Sequence, residues 1–224
     1  MTSDQPDESF RHSSEGVEYT ISLMAKWPIE GKVKTRLGRT IGMRQAADAH
    51  QRLLLKTMSN VGEHAVARTW WVAPADRVGQ AKELAGKLGW NVSAQAEGDL
   101  GARMCAAVRM NWLEHPEQPT IVIGSDCPSL NDSLVENAAA SCEVHDVVFV
   151  PTEDGGYALV AIKPQREDLL DVMFGNMTWS HEKVLETSIE RLRSVGADVG
   201  VLSTLWDVDD VLGWQRYLKM HEES

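Results

Sequence analysis

Short apolar runs alternate along the chain with longer segments of helical period, and the alternation predicts an α/β domain. VEYTISLMAK (17–26) reads as a first strand, and a polar, basic connection then leads to an amphipathic helix over about 43–60. ARTWWVAP (67–74) is a second strand, 75–88 a helix and NVSAQA (91–96) a short third strand. Asp99 is placed to cap a helix running to about Glu114, TIVIG (120–124) is the next strand, and Ser129 or Asn131 can cap a helix ending near Cys142. DVVFVPT (146–152) and YALVAI (157–162) are joined by only Glu153, Asp154, Gly155 and Gly156, so these strands are expected to pair or bend. Helices near 166–171 and 180–193, a strand over 199–205, the segment WDVDD and a helix to about Met220 complete the pattern. The expected architecture is one domain over 17–224 with a mixed, mainly parallel sheet, and ligands in such sheets bind at the carboxyl ends of the strands.

Composition narrows this picture. The 224 residues are 43% hydrophobic and 25% charged, enough for one sizeable core, and the net charge of -11 argues against a nucleic-acid-binding surface. The first 16 residues are polar, without a basic segment followed by an apolar one, and are expected to be poorly ordered. No apolar run reaches membrane-spanning length. Cys105, Cys127 and Cys142 show neither a disulfide framework nor zinc-ligand spacing, which fits a reducing cytosol.

The charge is unevenly spread. Residues 26–39, KWPIEGKVKTRLGR, carry Lys26, Lys32, Lys34, Arg36 and Arg39 against Glu30 alone, a +4 segment in a chain that is otherwise -15. Following the first strand, Lys34, Thr35 and Arg36 stand where α/β folds bind di- and triphosphates, although the GxxxxGK[ST] spacing is missing. A merely solvated charged loop is the competing reading.

Acidic groups recur at the predicted strand ends. The strand TIVIG runs into Ser125 and Asp126, and Asp126 there is either a ligand for Mg²⁺ or Mn²⁺ or a turn residue before Cys127 and Pro128. In EDGGY, Gly155 and Gly156 permit close backbone approach to a ligand with Asp154 as hydrogen-bond acceptor, or form an ordinary hairpin turn. In WDVDD, alternation puts Asp207 and Asp209 on one face, able to supply a second ligand to a metal held by Asp126, while Asp209 or Asp210 can cap the last helix. The histidines show no HxxxH or HExxH spacing; His181, in WSHEKV, is kept because a helix start can meet an anion. Trp70, Trp71, Trp90 and Trp112 sit in core patterns, whereas Trp27 and Trp179 adjoin the candidate loops and could stack on a base or sugar.

In order along the chain, AKWPIEGKVKTRLG, EGDLGARM, IGSDCPSL, PTEDGGYALV and DVDD resemble the bacterial GT-A-like transferases of the rSAM/selenodomain-associated type, relatives of the molybdopterin and phospholactate guanylyltransferases. The resemblance spans about residues 19–218. It implies a three-layer α/β/α nucleotide-diphospho-sugar transferase fold, Rossmann-like, with a nucleotide or nucleotide-sugar donor, a small-molecule acceptor and a divalent metal. Carried onto this sequence, it gives Lys26, Lys34, Thr35 and Arg36 to the nucleotide phosphates, and Gly98, Asp99 and Arg103 to the nucleoside. Asp126 with Asp207 or Asp209 would hold the metal, with Asp126, Lys34 and Arg36 as the catalytic set. Asp154, Gly155, Gly156, Trp179 and Ser180 would shape the acceptor pocket. The first loop lacks the GGxSxRMG form of molybdopterin guanylyltransferases, and a single Asp after Ser125 stands in place of a DxD. Glycosyl transfer from a nucleotide-sugar is the expected activity, with nucleotidyl transfer and non-catalytic nucleotide binding as the alternatives.

Overall fold

The structure, a computed structural model, describes residues 17–179 and 181–222; the N-terminal segment 1–16 and Ser180 lie outside them. Seven strands form one sheet in the order β3-β2-β1-β4-β6-β5-β7. They are β1 (Thr20–Lys26), β2 (Ala67–Ala73), β3 (Asn91–Ala94), β4 (Thr120–Ile123), β5 (Val147–Pro151), β6 (Tyr157–Ile162) and β7 (Val199–Val201). All neighbouring pairs are parallel except β6, which runs antiparallel to both β4 and β5. The four-residue connection after β5 therefore makes a hairpin, as its length predicts.

Side-chain alternation along the strands builds the three layers. Ile121 and Ile123 of β4 point into a core shared with α2 (Met43–Asn60), α3 (Val78–Ala85) and α5 (Asp132–Ser141). Val122 between them points to the opposite core, against α4 (Leu100–Glu114), α6 (Glu167–Phe174) and α7 (Val184–Ser194). The two buried polar residues of β1 are paired: Thr20 Oγ1 hydrogen-bonds with Thr120 Oγ1 at 3.2 Å, and Ser22 Oγ accepts from Trp71 Nε1 at 2.8 Å and from Asn111 Nδ2 at 3.0 Å.

Two helices stand outside the sandwich. The segment 26–39, expected as a loop, contains α1 (Thr35–Ile41), and α8 (Val211–Glu222) packs beside it. Leu37, Ala46 and Ala49 form the seam, with Val211 and Trp214 against it. The short α1 carries two cations, Arg36 and Arg39, and Gly38 and has no apolar period of its own; packing of Leu37 on α2 and α8 decides its conformation.

Other boundaries shift for local reasons. The helix expected over 75–88 is α3 flanked by 3₁₀ turns at Ala75–Arg77 and Gly86–Leu88, where Gly86 and Gly89 break the pattern. α7 begins at Val184 instead of 180, and 181–183 form a turn. β7 ends at Val201; beyond it a lone bridge between Thr152 and Leu205 keeps the chain beside β5. No described helix is long and apolar enough to cross a membrane.

Candidate active site

β1, β4, β5 and β7 all end at the same edge of the sheet, and the candidate side chains gather there. Backbone hydrogen bonds stitch the loops together. Leu205 N–H donates to the Pro151 carbonyl at 2.8 Å, Glu153 N–H donates to Leu205 at 3.0 Å, and Val208 N–H donates to the Asp126 carbonyl at 2.9 Å. Segments about eighty residues apart in sequence thus become adjacent strand-end loops.

Lys34 is the hub. Its backbone is left-handed (φ 45°, ψ 42°) at the start of α1, an unusual conformation for a non-glycine residue, and its side chain is only 4% exposed. Nζ lies 2.7 Å from Asp126 Oδ2 and 2.9 Å from Asp209 Oδ1. Burial disfavours the ammonium, but the Asp126 and Asp209 carboxylates outweigh it and hold the pKa above the ordinary lysine value. Burial likewise opposes the Asp126 anion, and the Lys34 ammonium outweighs it and brings the pKa below the usual carboxylate range. Ser125 Oγ adds a hydrogen bond to Asp126 at 3.3 Å.

A cleft of about 460 Å³ opens over this pair, lined by Lys26, Lys32, Lys34, Thr35, Arg36 and Asp126 among others. Arg36 is 66% exposed and reaches Asp209 Oδ2 at 3.7 Å. His50, from α2, also lines the cleft and carried no signal in the sequence beyond being a single histidine on a helix. It is 6% exposed; Nε2 donates to the Lys26 carbonyl at 2.9 Å, and Nδ1 is buried with no partner among the described residues. Burial lowers its pKa, so the ring is neutral.

The Asp207 and Asp209 carboxylates converge with Asp154: one oxygen from each lies within 4.8 Å of the others. Burial, with the neighbouring Asp209 and Asp154 charges, pushes the Asp207 carboxyl up to about 6. Asp154 sits in the hairpin between β5 and β6, where its Oδ1 accepts from Thr152 Oγ1 at 2.6 Å and from Gly156 N–H at 3.0 Å. Gly155 has φ +88°, and a Cβ there would overlap the Glu182 carbonyl, so glycine alone fits the turn. Asp210 caps α8 instead, accepting from Leu212 and Gly213 N–H at 3.0 Å each.

Asp99 is a helix cap as well, with its side chain accepting from Ala102 N–H at 2.8 Å. Arg103 donates to the Gly98 carbonyl at 2.9 Å and to Gln95 Oε1 at 3.2 Å, which fastens the loop before α4. Gly98, Asp99 and Arg103 do not line the basic cleft.

Gly156 and Trp179 meet elsewhere, in an apolar cavity of about 220 Å³ that also takes in Asp154, Tyr157 and His181. Trp179 packs over Phe174, with ring centroids 6.3 Å apart, while Trp27 stacks on Trp70 at 5.9 Å. Trp70, Trp71 and Trp90 are core, as their patterns predict, and Trp112 is half-buried. All three cysteines are free and buried, and burial raises the Cys127 thiol far from the reactive range.

This three-layer sandwich, with its basic cleft and carboxylate cluster at the strand ends, is a GT-A-like fold of the nucleotide-diphospho-sugar transferase class. The chain belongs to the bacterial family described as "Uncharacterized protein conserved in bacteria (DUF2064)", whose model matches residues 57–181. That span includes Asp126 and Asp154; the basic segment and Asp207 with Asp209 lie on either side of it. A protein of Desulfovibrio desulfuricans G20, named as a candidate nucleotide-diphospho-sugar transferase, is 27% identical over 93% of this chain and 89% of its own, with a TM-score of 0.84. The fold is shared more distantly by CMP:2-keto-3-deoxy-manno-octonic acid synthetase complexed with CTP (10% identity, 93% and 100% coverage, TM-score 0.56). It is also shared by Rv0371C of Mycobacterium tuberculosis H37Rv in complex with manganese (14%, 91% and 98%, 0.53). No curated protein is matched by the sequence.

Proposed function

We propose that the protein is a metal-dependent transferase that moves a glycosyl group from a nucleotide-diphospho-sugar to a small acceptor. The observation that carries this reading is the junction at Asp209, whose carboxylate belongs both to the Lys34 ion pair under the basic cleft and to the cluster with Asp154 and Asp207. A diphosphate needs cations, and the cleft supplies Lys26, Lys34 and Arg36. The similarity to the Desulfovibrio protein supports the donor class, and the ordered motifs support kinship with the rSAM/selenodomain-associated transferases.

The cluster fits a hard divalent cation. Its donors are all carboxylate oxygens, and three negative groups this close repel one another unless a cation is added. Asp207 and Asp209, with Asp154, would hold Mg²⁺ or Mn²⁺, which supplies charge neutralisation for the leaving nucleoside diphosphate. Lys34 and Arg36 bind and orient the phosphates. Asp126, 41% exposed at the cleft, offers a further oxygen donor toward a nucleotide-bound cation. The resemblance gives Gly98, Asp99 and Arg103, which lie outside the basic cleft, to the nucleoside end, and Asp154 to Gly156 with Trp179 and Ser180 to the acceptor end. In the transfer, the acceptor oxygen bonds to the sugar C1, the bond from C1 to the diphosphate oxygen breaks with its electrons leaving on the nucleoside diphosphate, and the acceptor proton is released to solvent. The three buried free thiols suit work in a reducing cytosol.

Product analysis with a panel of nucleoside triphosphates and nucleotide-sugars tests the reading. Nucleoside diphosphate release supports it, pyrophosphate release replaces it with nucleotidyl transfer, and binding without turnover replaces it with a nucleotide-binding role.

A further inference from the structure

The apolar cavity adjoins the basic cleft but differs from it in chemistry. Met24 and Gly124 border both spaces, so the two open toward each other at the strand ends. Leu100 and Met104 of α4, Val122 and Ile123 of β4 and Val184 of α7 supply apolar walls. Among the described residues no lysine or arginine lines the cavity; apart from Tyr157, its ionisable side chains are Asp154 and His181.

The aromatic residues of the lining present ring carbon and not polar atoms to this space. Tyr157 Oη and Trp179 Nε1 are themselves buried, with no hydrogen-bond partner among the described residues, while the rings line the cavity. A phosphate or carboxylate on the acceptor body, placed among Leu100, Met104, Val122 and Ile123 and away from the metal end at Asp154, would lose its hydration with no lysine or arginine of the lining to pair with.

We propose that this cavity holds the body of the acceptor, and that the acceptor is an uncharged, largely apolar alcohol whose hydroxyl lies toward Asp154. This rests on the transferase reading above and narrows its acceptor class. An anionic group on the acceptor body is selected against, because no lysine or arginine among the described lining residues compensates it.

Calorimetry with 3-phenylpropanol and its anionic counterpart 3-phenylpropanoate tests the inference without requiring turnover. The alcohol should bind the full-length protein at least tenfold more tightly than the carboxylate. Leu100 is 42% exposed, so Leu100→Arg can be accommodated at the rim, and the added guanidinium should shrink or reverse that preference. Equal or tighter binding of 3-phenylpropanoate by the unaltered protein, or no binding of the alcohol, overturns the proposal. A parallel titration with GDP and UDP in the presence of Mn²⁺ separates the two ideas. Alcohol selectivity without nucleotide binding removes the transferase reading and leaves the cavity's selectivity standing, whereas nucleotide binding without alcohol selectivity does the reverse.

Discussion

Lys34 Nζ and Asp126 Oδ2, 2.7 Å apart, tie the basic segment after β1 to the acidic end of β4 across ninety-two positions of sequence. The lysine is almost fully enclosed while Asp126 is 41% exposed, so the pair presents its carboxylate side to solvent and keeps its ammonium protected.

Removing Lys34 should cost both binding and stability. Lys34→Ala leaves Asp126 and Asp209 facing each other without their shared cation, and nucleotide affinity should fall by about 1–3 kcal/mol, as expected for charge-assisted contacts. Arg36→Ala, at an exposed side chain, should cost less. Isothermal titration with a nucleoside diphosphate reads both; unchanged affinity in Lys34→Ala would remove the phosphate role.

The turn that carries Asp154 is predicted to depend on one glycine. Gly155→Ala forces a side chain into the left-handed region and against the Glu182 carbonyl, at a cost of about 1–3 kcal/mol or more. Chemical denaturation should show the loss, and Mn²⁺ binding should weaken with it because Asp154 rides on the same turn. A variant of unchanged stability would mean that the hairpin shifts freely.

Much of this arrangement is written in local pattern. The period of 43–60 gives α2 to the residue, the Asn131 cap forms as its side chain suggests, and the apolar run of β4 delivers Asp126 to the sheet edge. What local pattern does not carry is convergence. Asp154 reads as a hairpin acceptor, and it becomes the third carboxylate beside Asp207 and Asp209 only because the bridge at Leu205 brings the two loops together. His50 is invisible for the same reason: its partner is a backbone carbonyl of β1, on the other side of the basic segment. α1 is missed because its helicity comes from packing and not from its own sequence.

His50 sets a prediction for acid stability. Its pKa is lowered in the folded protein, so below its unfolded value of about 6.5 the unfolded chain binds the extra proton first. The stability tied to the neutral ring is fully present above that value and is lost as pH falls. His50→Gln should therefore flatten the dependence of unfolding free energy on pH below about 6.5. Denaturant titrations across that range decide it, and an unaltered slope would mean that the ring charges without penalty.

The carboxylate cluster yields the last expectation, in which stability and binding move in opposite directions. Three carboxylate oxygens within 4.8 Å of one another repel in the absence of a cation, and Lys34 touches Asp209 but neither of the other two. Asp207→Asn keeps the shape and removes one charge, so the metal-free protein should become more stable by a few tenths to about 1 kcal/mol. The same change should abolish most of the stabilisation that Mn²⁺ confers, since a bound ion raises stability in proportion to its affinity for the folded state. Asp126→Asn should behave differently: Mn²⁺ alone should still stabilise the protein, while the additional gain seen with nucleotide present should disappear. Thermal scans with and without Mn²⁺, and with Mn²⁺ plus a nucleoside diphosphate, separate these outcomes. If Asp207→Asn destabilises the metal-free protein and leaves the Mn²⁺ effect intact, the three carboxylates are a structural feature and the cation binds elsewhere.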